Sequence, residues 1–229
     1  MQRQNNKPKN SYNLEIKDIL PLTKNQKRTF DSYNEDKNLL LHGMAGTGKT
    51  FCALYLALND ILTYKSTKNK IIIVRSAVPT RDVGFLPGSL KEKLKQYETP
   101  YKNICTEIFN RGDAYEILKT KDVVAFMSTS FIRGNTFDDT IVIIDEIQNL
   151  NFHELDSIIT RTGDNTRLIF SGDFRQSDLI RQQERRGLID FIKVIDKMSC
   201  FSKIEFEIAD VVRSGLVKEY LIAKHAIFT

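Results

Sequence analysis

At 229 residues, 41% of them hydrophobic, the chain suits one large α/β domain with a buried core, or at most two small ones. The net charge of +5 permits an anionic partner without requiring one, and Cys52, Cys105 and Cys200 lie too far apart for a zinc site or a disulfide framework. The polar start MQRQNNKPKNSYN lacks a signal-peptide core, and the richest apolar run, Phe51 to Leu62, is broken by Asn59-Asp60, so a cytoplasmic protein with no membrane span is expected.

Residues 1–12 carry nothing to bury and read as a disordered polar stretch ahead of a single domain over 13–229. KNQKRTFDSY reads as a helix and Leu39–Leu41 as a strand, followed by a helix from Thr50 to Tyr64 with Leu54, Leu58 and Ile61 at helical spacing. Ile71–Val74 is the next strand. Segment 75–88 is a long loop marked by Pro79, Gly84, Pro87 and Gly88, and Ser89 with Glu92 forms a capping box that opens a helix. Val123–Phe126, Ile141–Ile144, Arg167–Phe170 and Lys203–Ile208 are further strands, with helices at Phe152–Arg161 and Leu188–Lys197 among them. Strands that are near-continuous apolar runs, alternating with helices, predict a parallel sheet covered on both faces.

The stretch GMAGTGKT, Gly43, Met44, Ala45, Gly46, Thr47, Gly48, Lys49 and Thr50, sits between the first strand and its helix and is a P-loop signature. Its glycines let successive N–H groups converge on a phosphate chain, and the helix N-terminus adds partial positive charge. Lys49 is expected to reach the β- and γ-phosphates of ATP and Thr50 to bind Mg²⁺. The strand Ile141–Ile144 delivers Asp145 and Glu146 at its C-terminal end. There Asp145 is expected to hold Mg²⁺ and Glu146 to orient or deprotonate water. The next strand runs into SGDFRQ, which places Gln176 to sense the γ-phosphate with its one acceptor and two donors. Gln26, upstream of the P-loop strand, has the amide chemistry to read an adenine edge. His42 is read as a packed strand-end histidine rather than a catalytic one, and the basic RQQERRGL, residues 181–188, as a contact to phosphate or a neighbouring subunit or equally as a solvated helix end.

Gln26, GMAGTGKT, RSAVPTRDVGFLPGSL, FIRGNTFDDTIVIIDEIQN, SGDFRQSDL and DVVRSGLV occur in the order found in PhoH-like proteins, and from about residue 20 to 222 the chain resembles that family. Ile147 stands where Ala is usual, Ser76 where Pro is usual, and Ser214-Gly215 where His-Pro is usual; none of these removes a catalytic group. The resemblance implies a single RecA-like P-loop domain, similar to the first such domain of superfamily-one helicases. It implies ATP hydrolysis coupled to RNA or single-stranded DNA. It also implies a charge-stabilising role for Arg213, either in the site of a neighbouring subunit of a head-to-tail oligomer, such as a hexameric ring, or in its own. Contacts to the nucleic-acid backbone would fall on Arg75, Ser76, Arg81, Ser128-Thr129 and Arg133-Gly134-Asn135; Phe131 or Phe85 could stack on a base, but each is read first as core packing. Two alternatives stand beside this reading: a nucleotide-dependent nucleic-acid binding module with little turnover, and a small-molecule P-loop kinase. The pairing of DEIQN with SGDFRQ, which suits water as the nucleophile, argues against the kinase.

Overall fold

A computed structural model of the protein describes residues 14–63, 65, 67–76, 90–132, 134, 136–173 and 182–228. The polar stretch 1–12, most of the long loop and Ser89 of the capping box lie outside the described residues.

Six strands form one sheet: β1 (Asn38–Gly43), β2 (Lys70–Arg75), β3 (Val124–Ser128), β4 (Thr140–Asp145), β5 (Arg167–Gly172) and β6 (Phe201–Phe206). Their order is β3-β2-β4-β5-β1-β6, and every neighbouring pair is parallel. All six residues of β4 and of β5 are buried, as expected for strands covered on both faces. The two-residue period divides the side chains between two cores. Leu39, Leu41, Ile71, Ile73, Ile141, Ile143 and Ile169 face one core, which is completed by α2 (Lys49–Leu62), α3 (Leu90–Phe109), α4 (Ala114–Thr120) and Tyr33 of α1 (Lys24–Asn34). Leu40, Ile72, Val74, Val142, Ile144, Leu168 and Phe170 face the other, against α5 (Phe152–Ile159) and α6 (Gln182–Ile195). This is the RecA-like P-loop arrangement that the sequence implied. Among the described residues no helix is long and apolar enough to cross a membrane.

Some bounds differ from the expectation. β6 starts at Phe201, which pairs with Asn38, and it stops before Ile208 because that residue opens a turn of 3-10 helix. α6 begins at Gln182, earlier than Leu188. α4 and α7 (Gly215–Phe228) were not anticipated. Among its described side chains α7 shows no buried stripe for periodicity to detect, since Leu216, Val217, Tyr220, Ile222 and Ile227 are all exposed.

The topology fixes where the chemistry sits. β5 lies between β1 and β4, so the loop after β1, the acids ending β4 and the tip of β5 meet at one carboxyl edge of the sheet.

Candidate active site

The loop from β1 to α2 bends through Gly43, Gly46 and Gly48, whose φ angles of 110, 75 and 82° belong to the left-handed region that glycine tolerates. Gly48 is the N-cap of α2 and no side chain caps the helix, so its first N–H groups stay open to an anion. The loop is anchored from behind, where the Met44 N–H donates to the Phe206 carbonyl at 2.9 Å and the Thr47 hydroxyl donates to the Met44 carbonyl at 2.9 Å. Lys49 is buried, and its ammonium donates to the carbonyls of Gly43 at 2.8 Å and Met44 at 2.6 Å. Burial lowers its pKa, while Asp173, Glu146 and Asp145 pull the other way and favour the charge. Charged phosphate oxygens are stronger acceptors for that ammonium than neutral carbonyls.

Thr50, in the first turn of α2, donates its hydroxyl to Asp145 Oδ1 at 3.0 Å. The other oxygen, Oδ2, accepts the Tyr101 hydroxyl at 2.9 Å. Asp145 is buried, and burial raises its pKa, with the like charge of Glu146 adding to the rise. Glu146 itself takes the left-handed conformation, φ 54° and ψ 46°, a strained state for a residue with a side chain. Two partners hold its carboxylate. The Gln148 Nε2 donates to it, and Arg75 at the end of β2 lies 3.8 Å away. The Gln148 Oε1 in turn accepts the Asp173 N–H at 3.1 Å, which links the acidic motif to the tip of β5.

Lys49, Thr50, Arg75, Asp145, Glu146, Gln148 and Asp173 line one cleft of about 870 Å³, which also takes in Gln26, Phe51, Ser171 and Arg213. Gln26 is buried; its Oε1 accepts the Leu22 N–H at 2.8 Å and its Nε2 donates to the Thr47 carbonyl at 3.0 Å. One further lone pair and one further N–H remain on that amide for a ligand. Arg213 lies over the P-loop of its own chain. Its Cγ would be 2.9 Å from a Cβ on Gly46, and the neighbouring Val212 N–H donates to the Gly46 carbonyl at 3.1 Å.

The residues present fit Mg²⁺ and a nucleotide. The buried Ser171 hydroxyl lines the cleft without a hydrogen-bond partner of its own. Thr50 and Asp145 supply hard oxygen donors, and among the described residues no group of three His, Cys, Asp or Glu side chains forms a metal cage. That donor set suits an ion shared with substrate phosphates. Burial pushes the Cys52 thiol, also in the cleft, up to about 12, so it is inert.

The structure separates the residues expected to touch nucleic acid. Arg75 is half-buried against Glu146 and over the Tyr97 ring at 5.7 Å, whereas Ser76 and Ser128 are 5% and 1% exposed, below the reach of a polymer in this conformation. Thr129 is buried as well. Arg81, Arg133 and Asn135 lie outside the described residues, as does Gln176. Phe131 corrects the sequence reading: it is 49% exposed, because it sits on a surface 3-10 turn after β3. Gln148, Ser171 and Tyr101 were not singled out in the sequence. Gln148 stood within the DEIQN motif and Ser171 within SGDFRQ, but nothing near Tyr101 marks it.

The family model described as PhoH-like protein matches residues 18–224. The chain belongs to the PhoH-like family. Among its relatives, the PhoH-like protein of Mycobacterium leprae (strain TN) is 32% identical over 208 residues, which are 90% of this chain and 58% of that protein. Protein PhoH of Escherichia coli (strain K12) is 31% identical over 192 residues, 82% of this chain and 53% of that one. The chain thus spans little more than half the length of these PhoH-like relatives. Among solved structures, the HK97 bacteriophage large terminase aligns with a TM-score of 0.57 at 11% identity, covering 93% of this chain and 48% of that one. The large terminase of a thermophilic bacteriophage, in complex with ADP, aligns with a TM-score of 0.51 at 12% identity, covering 87% and 49%. At these identities the likeness is one of fold.

Proposed function

We propose that this PhoH-like chain is an ATPase that couples hydrolysis of ATP to the binding or remodelling of RNA or DNA. The observation that carries the ATPase reading is the 3.0 Å hydrogen bond from Thr50 to Asp145, which joins the P-loop to the acidic strand end. Thr50 and Asp145 would hold Mg²⁺, which neutralises charge on the phosphates when bound. Lys49 exchanges its two loop carbonyls for phosphate oxygens. Glu146 accepts the proton of the attacking water, oriented by Gln148 and restrained by Arg75. Gln26 turns its remaining donor and acceptor toward the base. Arg213, over Gly46 of its own chain, is placed to meet developing phosphate charge in its own site; this favours the cis reading over the trans one. Nucleic-acid coupling rests on family membership and on Arg75, which stands at the strand tips beside Glu146 and would have to exchange that carboxylate for a phosphodiester.

The test is steady-state ATP hydrolysis with and without single-stranded RNA or DNA, comparing wild type, Lys49→Ala and Glu146→Gln. Glu146→Gln should bind nucleotide yet turn over about 10²- to 10⁴-fold more slowly. Turnover retained by Glu146→Gln sinks the assignment of the base. Hydrolysis indifferent to both polymers leaves an ATPase and removes the nucleic-acid coupling.

A further inference from the structure

The carboxylate of Asp145 has two oxygens, and the fold gives them different partners. Oδ1 faces Thr50 on the P-loop side, and Oδ2 accepts the hydroxyl of Tyr101, which reaches it from the middle of α3. Tyr101 is 1% exposed, and its ring lies against Phe126 of β3, with centroids 5.9 Å apart and planes inclined by 39°. That packing leaves the phenol little choice of direction. A carboxylate has acceptors only, so the single proton of the phenol is committed to Asp145.

We infer that Tyr101 is a positioning residue for the metal-binding carboxylate: by occupying Asp145 Oδ2 it presents Oδ1 alone to the ion beside Thr50. This inference rests on the nucleotide site proposed above. Mg²⁺ demands near-ideal octahedral geometry, which a carboxylate free to rotate or to chelate with both oxygens satisfies poorly. Partners behind a metal-binding group that fix its orientation affect metal affinity by roughly ten- to a hundredfold. α3 thereby becomes part of the site although it supplies no direct ligand. Its role is specific to one atom, since removing the hydroxyl while keeping the ring leaves the packing against Phe126 in place.

The experiment titrates Mg²⁺ against the affinity of a fluorescent ADP analogue, for wild type, Tyr101→Phe and Phe126→Leu, with a second set in EDTA. In EDTA, Tyr101→Phe should bind the analogue within about twofold of wild type, because the P-loop is untouched. The Mg²⁺ concentration that half-maximally tightens binding should rise by about tenfold or more in Tyr101→Phe. Phe126→Leu loosens the ring contact that aims the phenol and should shift the Mg²⁺ dependence in the same direction by a smaller factor. It supplies the answer if Tyr101→Phe does not fold. A role confined to packing would leave the Mg²⁺ midpoint in place, and an unchanged midpoint in either folded variant overturns the inference. If wild type does not bind the analogue, the nucleotide-site reading falls and this inference with it; if wild type binds it without any Mg²⁺ dependence, the nucleotide site stands and this inference is overturned.

Discussion

The side-chain amide of Gln148 donates to the carboxylate of Glu146. The opposite end of the same amide accepts the Asp173 N–H at 3.1 Å, so one residue sets the candidate base relative to the tip of β5. An amide can do both because its two ends differ in polarity; a carboxylate cannot donate, and a methyl group can do neither. Gln148→Ala should release Glu146, and Gln148→Glu should repel it. A displacement of about 1 Å at a reacting group costs on the order of a hundredfold, so either variant should lower kcat roughly ten- to a hundredfold. ADP affinity should move less than about twofold, because none of these groups belongs to the P-loop cradle. Parallel losses of kcat and ADP affinity would instead mark Gln148 as a support of the whole loop.

Much of this arrangement was legible in the sequence because its parts are contiguous. GMAGTGKT carries its own turn and helix start, and IVIIDE carries a buried strand with acids at its tip. The sheet order sets β5 between those strands. What was not legible depends on contacts between distant segments. Tyr101 lies 44 residues from Asp145, and no local pattern distinguishes it from a core tyrosine. Ser76 and Ser128 are read as contacts to a nucleic-acid backbone, whereas both are buried at the sheet edge. Gln26 is read as an adenine reader from its position upstream of the P-loop strand, and its bonds to Leu22 and Thr47 could not be read from spacing.

Gly172, the last residue of β5, carries a steric prediction. A Cβ there would lie 2.5 Å from Gln148 Oε1, 2.7 Å from Ile147 Cγ1 and 3.0 Å from the Ile147 backbone nitrogen. The backbone nitrogen cannot move without shifting the loop that holds Glu146. Gly172→Ala should therefore cost about 1–3 kcal/mol of stability and lower turnover. Gly112→Ala is the matched control, since a Cβ there meets nothing within 4 Å, and it should stay within about 0.5 kcal/mol. Urea unfolding of both variants measures the contrast, and equal midpoints would show that the loop yields freely.

Arg167 opens β5 at the sheet edge opposite the cleft and joins three elements. Its guanidinium lies over the Tyr33 ring at 4.1 Å, within 3.9 Å of Asp60 Oδ2, and it pairs with Asp36. The Tyr33 hydroxyl donates to the same Asp60 oxygen at 3.0 Å, so α1 and α2 are tied to β5 through one buried charge cluster. Arg167→Ala leaves the Asp60 carboxylate buried without its counter-charge and should cost about 3–5 kcal/mol. Asp36 is 82% exposed, and Asp36→Ala should cost less than about 1 kcal/mol. Nucleotide affinity of the folded Asp36→Ala protein should match wild type, because this edge does not meet the site. A loss for Arg167→Ala as small as that for Asp36→Ala would mean that Asp60 finds solvent.

The stability of the fold should depend on pH through His42 in β1. Burial lowers its imidazole from the ordinary 6.5 to about 4, an effect that the nearby positive charges of Lys203 and Lys49 reinforce and the negative charge of Glu205 opposes. Above pH 6.5 the ring is neutral in both folded and unfolded chains and contributes no pH dependence. Between about pH 6.5 and 4 the unfolded chain takes up a proton that the folded chain refuses. More protons bound in the unfolded state make stability rise with pH, so acidification through this window destabilises the fold. Below pH 4 both states carry the proton and the loss from this group stops growing. From these values the loss at pH 5 is about 2 kcal/mol relative to pH 7. His42→Asn cannot take up that proton, so nucleotide-free wild type should lose more stability than the variant between pH 7 and pH 5. Urea midpoints at the two pH values measure the difference. Equal losses in the two proteins would show that the imidazole titrates at the same pH whether the chain is folded or not.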